Sequence, residues 1–178
     1  IVKYINNVNL DSEDNLWFIS KDHLLNEDLI VMYDSKQHVL KKINSNDKNI
    51  NGMLKHLETI KFNTNKKLYI STNSGLIEYD ARTQLFKDLQ IYKTRDIEFG
   101  SGSDVWVSTD LGISKINVNS NIVTNFTYFN SPIGQMPHPI IIKSPNEDRL
   151  WIPQKGMLNI IGLKDLLLGD TDTIQLTE

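Results

Sequence analysis

A five-residue pattern is written four times along the chain: Leu16-Trp17-Phe18-Ile19-Ser20, Leu68-Tyr69-Ile70-Ser71-Thr72, Val105-Trp106-Val107-Ser108-Thr109 and Leu150-Trp151-Ile152-Pro153-Gln154. Successive aromatics stand 52, 37 and 45 residues apart, and a glycine follows three of them, at Gly75, Gly112 and Gly156. Self-similarity at such a period marks a repeat architecture, in which one supersecondary unit recurs and none can bury its apolar faces without a neighbour. This constrains the fold more tightly than any other feature of the chain.

Each repeat extends on both sides of its aromatic. Ahead of it lies a stretch with apolar residues, Val8 and Leu10, Ile60 and Phe62, Ile97 and Phe99, then Ile140-Ile141-Ile142. In the first three the apolar residues alternate, which predicts a strand with one buried face. Between this strand and the aromatic sits a cluster of turn-forming residues: Asp11-Ser12-Glu13-Asp14-Asn15, Asn63-Thr64-Asn65-Lys66, Gly100-Ser101-Gly102-Ser103 and Pro145-Asn146-Glu147-Asp148. The aromatic strand follows, then a turn at the glycine, where positive φ costs least. A third strand comes next, at Leu76-Ile77-Glu78-Tyr79-Asp80, Ile113-Ser114-Lys115-Ile116-Asn117 and Met157-Leu158-Asn159-Ile160-Ile161. The first copy is stretched, with His23 in place of the glycine and Tyr33-Asp34 arriving late. Fourth strands are expected at Val39 to Ile43, Leu85 to Leu89 and Ile122 to Phe126, with Thr173 to Thr177 available to the last copy.

Four strands joined by hairpins form a meander, and meanders at this period build a β-propeller, which protects its sheet edges by packing blade on blade. The chain therefore reads as all-β, one propeller segment over 1–178, with blades at approximately 6–43, 57–92, 94–129 and 138–178. Residues 1–5 read as the end of a preceding blade. Four blades lie at the low end for a closed ring, so the expectation is a piece of a larger propeller. A short helical turn is expected only at Lys164 to Leu168, where Leu163, Leu166 and Leu167 fall near helical spacing.

Net charge is −3 and the lysines are dispersed, so no electrostatic footprint for nucleic acid exists. The chain contains no cysteine, which excludes disulfides and thiolate metal sites.

The string from Leu68 to Asp80 resembles the two-component regulator propeller repeat: an apolar-Trp-Ile-Gly-Thr run, a short spacer, Gly-Leu, two residues, then Tyr or Phe with Asp. Val105 to Asn117 matches again, with Ile113 for the Leu and Ile116-Asn117 for the Tyr-Asp. Leu150 to Ile161 matches more loosely, and Leu16 to Asp34 only in its first half. The resemblance implies blades of a periplasmic sensor region whose parent is a hybrid histidine kinase anchored in the inner membrane. It implies a glycan-derived ligand, with the remaining blades and the downstream domains of the parent as partners. It also implies that signalling output lies outside this chain, since no kinase, receiver or DNA-binding motif is present. A homodimer is a further candidate partnership.

The functional residues implied by the repeat are few. Trp17, Tyr69, Trp106 and Trp151 hold one repeat position in mid-strand, so they are expected to pack between blades and not to form a sugar-stacking ring. His23, His38, His56 and His138 lack metal-ligand spacing. Asp80, Asp88, Asp96, Glu98 and Asp110 do not recur at one repeat position, and Asp11, Asp14, Glu147 and Asp148 fall in turns, where local backbone hydrogen bonding accounts for them. No catalytic residue, metal site or cofactor is therefore assigned. The long connections at 44–56 and 130–139 are better candidates for binding, because binding groups ride on loops held by a rigid scaffold. The ligand-binding candidates are Asn51, Arg95, Gln135 and His138, whose amide, guanidinium and imidazole groups suit sugar hydroxyls. The leading expectation is a non-enzymatic extracytoplasmic sensor. The alternatives are an enzymatic propeller of lyase, lactonase or glycosidase type, and a protein-interaction scaffold.

Overall fold

The structure, a computed structural model, describes residues 4–22, 26–127, 140–144, 146–154, 157–162 and 172–175. These residues form four four-stranded antiparallel sheets, each with its strands in chain order. The first sheet comprises β1 (Ile5–Leu10), β2 (Leu16–Asp22), β3 (Glu27–Asp34) and β4 (Val39–Ile43). A short helix, α1 (Lys48–Met53), leads to the second sheet, β5 (Leu57–Phe62), β6 (Lys67–Thr72), β7 (Leu76–Asp80) and β8 (Leu85–Asp88). The third sheet is β9 (Thr94–Phe99), β10 (Asp104–Thr109), β11 (Gly112–Asn117) and β12 (Ile122–Thr127). The fourth is β13 (Ile142–Lys143), β14 (Arg149–Gln154), β15 (Met157–Gly162) and β16 (Asp172–Gln175). The chain divides into two compact units, Ile1–Thr94 and Arg95–Glu178.

The repeat seen in the sequence is a repeat of register. Trp17 stands between Asn9 and Met32, Tyr69 between Lys61 and Glu78, and Trp151 between Ile142 and Ile160, while Trp106 pairs with Lys115. Each aromatic thus holds the same place in the second strand of its sheet. Asp11, Asn63, Gly100 and Ser144 are equivalent in the same sense, because the backbone N–H of each closes the first hairpin onto the carbonyl across the turn.

In the first unit the core lies between its two sheets. Trp17, Ile19 and Ile30 pack with Ile60, Leu68, Ile70 and Ile77, and the Trp17 ring meets Phe62 edge-on at 5.1 Å. The second unit repeats the arrangement, with Trp106, Ile113 and Phe126 packed against Ile141, Leu150, Ile152 and Ile161. A polar contact recurs beside each core. Asn7 Oδ1 accepts from the Ile60 N–H at 2.9 Å, and Asp96 Oδ2 accepts from the Ile141 N–H at 3.0 Å. Asn7 sits at a bulge in β1 with φ of 49°, and the bulge re-aims its side chain toward the next sheet. Asn9 Nδ2 adds a donation to the Ile60 carbonyl at 2.7 Å.

The glycine of the repeat is fixed by close backbone approach. A Cβ on Gly112 would lie 2.2 Å from the Phe126 carbonyl oxygen, and one on Gly75 2.8 Å from that of Ile91. Gly112 also has φ of 142°, which L side chains rarely adopt. The threonine before each of these glycines closes the hairpin: Thr72 Oγ1 donates to the Gly75 carbonyl and Thr109 Oγ1 to that of Gly112.

Two expectations need correction. The connection at 44–56 contains α1, not only loop. Asp47 caps it by accepting from the Asn49 and Ile50 N–H groups, and Ile50 and Leu54 are buried in the first unit's core. The tertiary contact of Ile50 and Leu54 is what a six-residue helix needs, since its own turns cannot hold it. Second, the four aromatics do not share one environment. Trp17, Tyr69 and Trp106 are 2%, 0% and 2% exposed, whereas Trp151 is 39% exposed. The helical turn expected at 164–168 lies outside the described residues.

Candidate functional site

The candidate residues fall in different places. Asn51 is on the exposed side of α1, and its Oδ1 accepts from the Ser45 N–H at 3.2 Å, which ties the helix to the strand β4 exit. Its carbonyl oxygen is thus already engaged. Asn51 lines a cavity of about 270 Å³ in the first unit together with Asp28, Lys42, Asn44 and Lys55. The walls of this cavity are braced: Lys55 Nζ pairs with Glu27 at 2.5 Å, and Asp28 Oδ2 accepts from the Leu57 N–H at 2.9 Å. Arg95 lies in the second unit, on β9, where its Nε donates to Asp110 Oδ1 at 3.0 Å. Gln135 and His138 lie outside the described residues.

A larger groove of about 540 Å³ runs beside the first cavity in the same unit, sharing Lys42, Ile43 and Asn44 with it. Its floor contains Met32, Ile50 and Phe86, and its rim carries Lys41, Ser45 and Gln84. Lys41 is held by Asp34 at 2.9 Å. Trp17 and Tyr79 also reach this groove but are 2% and 5% exposed, so neither offers a face on which a sugar ring could stack. Amide and hydroxyl groups over an apolar floor suit a neutral, hydroxyl-rich ligand, which takes orientation from a few polar groups and affinity from buried area.

The acidic residues are mostly occupied in holding the fold. Asp11 serves more than its turn. It does accept from the Glu13 and Asn15 N–H groups, but Oδ2 also accepts from the Trp17 indole at 2.9 Å. Burial pushes the Asp11 carboxyl up, yet the hydrogen bonds from Trp17, Asn15 and Glu13 together hold it below its ordinary 3.8. Asp80 is bound by Arg82, which holds its carboxyl down at about 2. Among the described residues no group of three or more His, Cys, Asp and Glu is placed to hold a metal ion.

Sequence reasoning missed one buried polar cluster. Glu78 is 6% exposed, with Oε1 on Lys67 Nζ at 2.6 Å and Oε2 accepting from the Tyr69 hydroxyl at 2.7 Å. Burial first, and then the neighbouring Glu78 carboxylate, push the Tyr69 phenol far above its ordinary range. The signal was present: Tyr69 is the only tyrosine among four repeat aromatics, and a buried phenol needs a partner. Its cross-strand neighbour at that register is Glu78.

No protein-family model matches the chain, and no curated protein sequence does. Solved structures do match. The extracellular domain of the hybrid two component system BT3049 from B. thetaiotaomicron superposes over 100% of this chain with a TM-score of 0.75 at 17% identity. That of BT4673 from the same organism superposes over 99% with a TM-score of 0.76 at 16% identity. The four sheets are β-propeller blades. The chain spans 25% and 22% of the lengths of those two structures. A gluconolactonase from Xanthomonas campestris, XC5397, matches 85% of this chain and 54% of its own length, with a TM-score of 0.62 at 11% identity. At these identities the likeness establishes the blade fold.

Proposed function

We propose that these blades belong to an extracytoplasmic sensor propeller of a hybrid two-component signalling protein. The blades themselves catalyse nothing, bind a glycan-derived ligand and pass the binding event to a kinase elsewhere in the parent, which is anchored in the inner membrane. The observation that carries this reading is the superposition of the entire chain on extracellular domains of hybrid two component systems. The state of the carboxylates also supports a binding role. Glu78, Asp11 and Asp96 each spend their oxygens on buried or inter-sheet hydrogen bonds, which leaves them poorly placed for proton transfer to a substrate. The first unit's groove sets Ser45 and Gln84 over Phe86 and Met32, the hydrogen-bonding groups and apolar floor that an oligosaccharide uses, and of its charged groups Lys41 is held by Asp34 while Asp47 caps α1.

The gluconolactonase likeness favours a second reading, an enzymatic propeller, at a lower TM-score and over less of the chain. Calorimetric titration of the full-length sensor with a panel of oligosaccharides separates the two. Replacing Asn51, Arg95, Gln135 and His138 by alanine is expected to weaken the best ligand by about tenfold or more, since each lost hydrogen bond is worth roughly 0.5–1.5 kcal/mol. Unchanged affinity would move recognition away from these residues. Turnover of a sugar lactone on addition of a divalent metal would overturn the sensor reading.

A further inference from the structure

The first two sheets meet as a wedge. Trp17, Met32 and Lys41 form a cross-strand row on β2, β3 and β4, and Leu68, Tyr79 and Phe86 form one on β6, β7 and β8. The rows meet at Trp17, whose ring lies 6.0 Å from that of Tyr79, and the groove of about 540 Å³ opens beyond them, toward Lys41 and Phe86. Both walls, and Ile50 of α1 beside them, lie within the first unit, so the groove does not rest on a blade outside the chain.

Tyr79 is 5% exposed, and its hydroxyl has no hydrogen-bond partner among the described residues. Among those residues the only sealed side-chain polar atom without a partner is Trp106 Nε1, so the Tyr79 hydroxyl is not sealed, and the groove that Tyr79 lines is what it opens to. The repeat shows that the fold does not need this hydroxyl. Tyr33, Ile116 and Ile161 stand opposite Leu16, Val105 and Leu150 as Tyr79 stands opposite Leu68. Ile116 and Ile161 are buried with no polar group to satisfy, and the Tyr33 hydroxyl is engaged by His38 Nδ1 at 2.8 Å. Burial first, and then the Asp80 carboxylate, push the Tyr79 phenol up, so it keeps its proton and remains a donor.

We propose that this groove seats a neutral oligosaccharide, with the Tyr79 hydroxyl donating to a sugar oxygen at its base and the side-chain amides of Gln84 and Asn46 holding hydroxyls at its rim. This rests on the sensor reading above and assigns its site. Those two amides, and that of Asn44, have no partner among the described residues. The backbone that presents them is held, because the Gln84 N–H donates to the Asp80 carbonyl at 2.8 Å and the Ser45 N–H to Asn51 Oδ1 at 3.2 Å, so little ordering is left to the binding step. Half-buried Phe86 offers the C–H face of a sugar an apolar surface. No free charge competes. Lys41 and Asp47 are engaged, and Lys42 alternates to the row of Val31, on the other face of the sheet. The groove shares Ile43 and Asn44 with the cavity that Asn51 lines, which gives a chain of sugars a continuous path between them.

The test is calorimetric titration of the full-length protein with neutral oligosaccharides of glucose, mannose, xylose and arabinose and with an oligogalacturonate, repeated on Tyr79→Phe and Gln84→Ala. The best neutral oligosaccharide is expected to bind about five- to tenfold more weakly to Tyr79→Phe, which lacks one hydrogen bond, and about threefold more weakly to Gln84→Ala. Tyr79→Phe keeps its ring against Phe86 and Trp17 and should melt with the wild type. If it melts lower, Gln84→Ala, on an exposed turn, carries the test alone. A neutral oligosaccharide that binds both variants as it binds the wild type would overturn the groove as the site and leave the sensor reading standing. Tightest binding of the oligogalacturonate would overturn the neutral class. Binding of no sugar at all would remove both this proposal and the sensor reading beneath it.

Discussion

Asp11→Ala tests whether the first hairpin of a blade is built to hold its indole. In the wild type the carboxylate accepts from the Trp17 indole at 2.9 Å, from the Asn15 N–H at 3.0 Å and from the Glu13 N–H at 2.8 Å. The Glu13 N–H is exposed and finds water after the change, so its loss contributes little. The Asn15 N–H is partly buried and worth about 0.5–1.5 kcal/mol. The indole of Trp17, 2% exposed, loses a charged acceptor, a loss of about 1.5–3 kcal/mol. The expected cost is about 2–4.5 kcal/mol, read in urea as a lower midpoint at unchanged slope. Asp11→Asn, which keeps an acceptor but not the charge, should lose about half of that. Because the folded pKa of Asp11 lies below 3.8, its contribution is complete above that value and disappears as the pH falls through the lowered one. Wild type and Asp11→Ala should therefore converge in acid. The third repeat supplies an internal comparison, since Gly100 occupies the position of Asp11 and the buried Trp106 indole N–H has no acceptor among the described residues. A difference of less than about 0.5 kcal/mol at neutral pH would refute the reasoning, for that is the size of an ordinary surface substitution.

Two further pairs of substitutions probe the repeat. Trp106→Ala removes a buried aromatic and should cost about 3–5 kcal/mol, while Trp151→Ala, at the same repeat position but 39% exposed, should cost about 1–2 kcal/mol; equal shifts in a denaturant titration would contradict the burial difference. Gly112→Ala places a Cβ 2.2 Å from the Phe126 carbonyl and should lower the thermal midpoint by at least several degrees, whereas Gly102→Ala meets no atom within 4 Å and pays only for its φ of 64°. A Gly112→Ala protein as stable as the wild type would show that β11 and β12 are farther apart than described.

The blades were legible in the sequence because a meander is local. Period-two alternation marks the strands, Asn, Asp, Gly and Ser mark the hairpins, and neither depends on what lies across the molecule. Recurrence of one aromatic at one position multiplied a weak signal by four. The candidate site was less legible. The long connection points to Asn51, but that Asp47 caps a helix there and Ile50 pins it to the core follows from packing, for the run 48–53 includes Gly52 and two asparagines and has no strong helical preference of its own.

Sequence alone thus determined the repeat, the strand order within each sheet and the mid-strand place of Trp17, Tyr69, Trp106 and Trp151. Tertiary structure alone decided what each of those aromatics meets. The same residue type at the same register is sealed by Phe62 in one sheet and left open in another, because burial depends on which sheet lies alongside and local pattern does not contain that neighbour. Tertiary structure also decided the partners of the polar groups: Glu78 with Lys67 and Tyr69, Asp11 with Trp17, Asp96 with the backbone of Ile141. An acidic side chain reads the same in a sequence whether it faces water or a buried donor. Only the approach of a second strand or sheet, which removes the water, turns it into part of the framework.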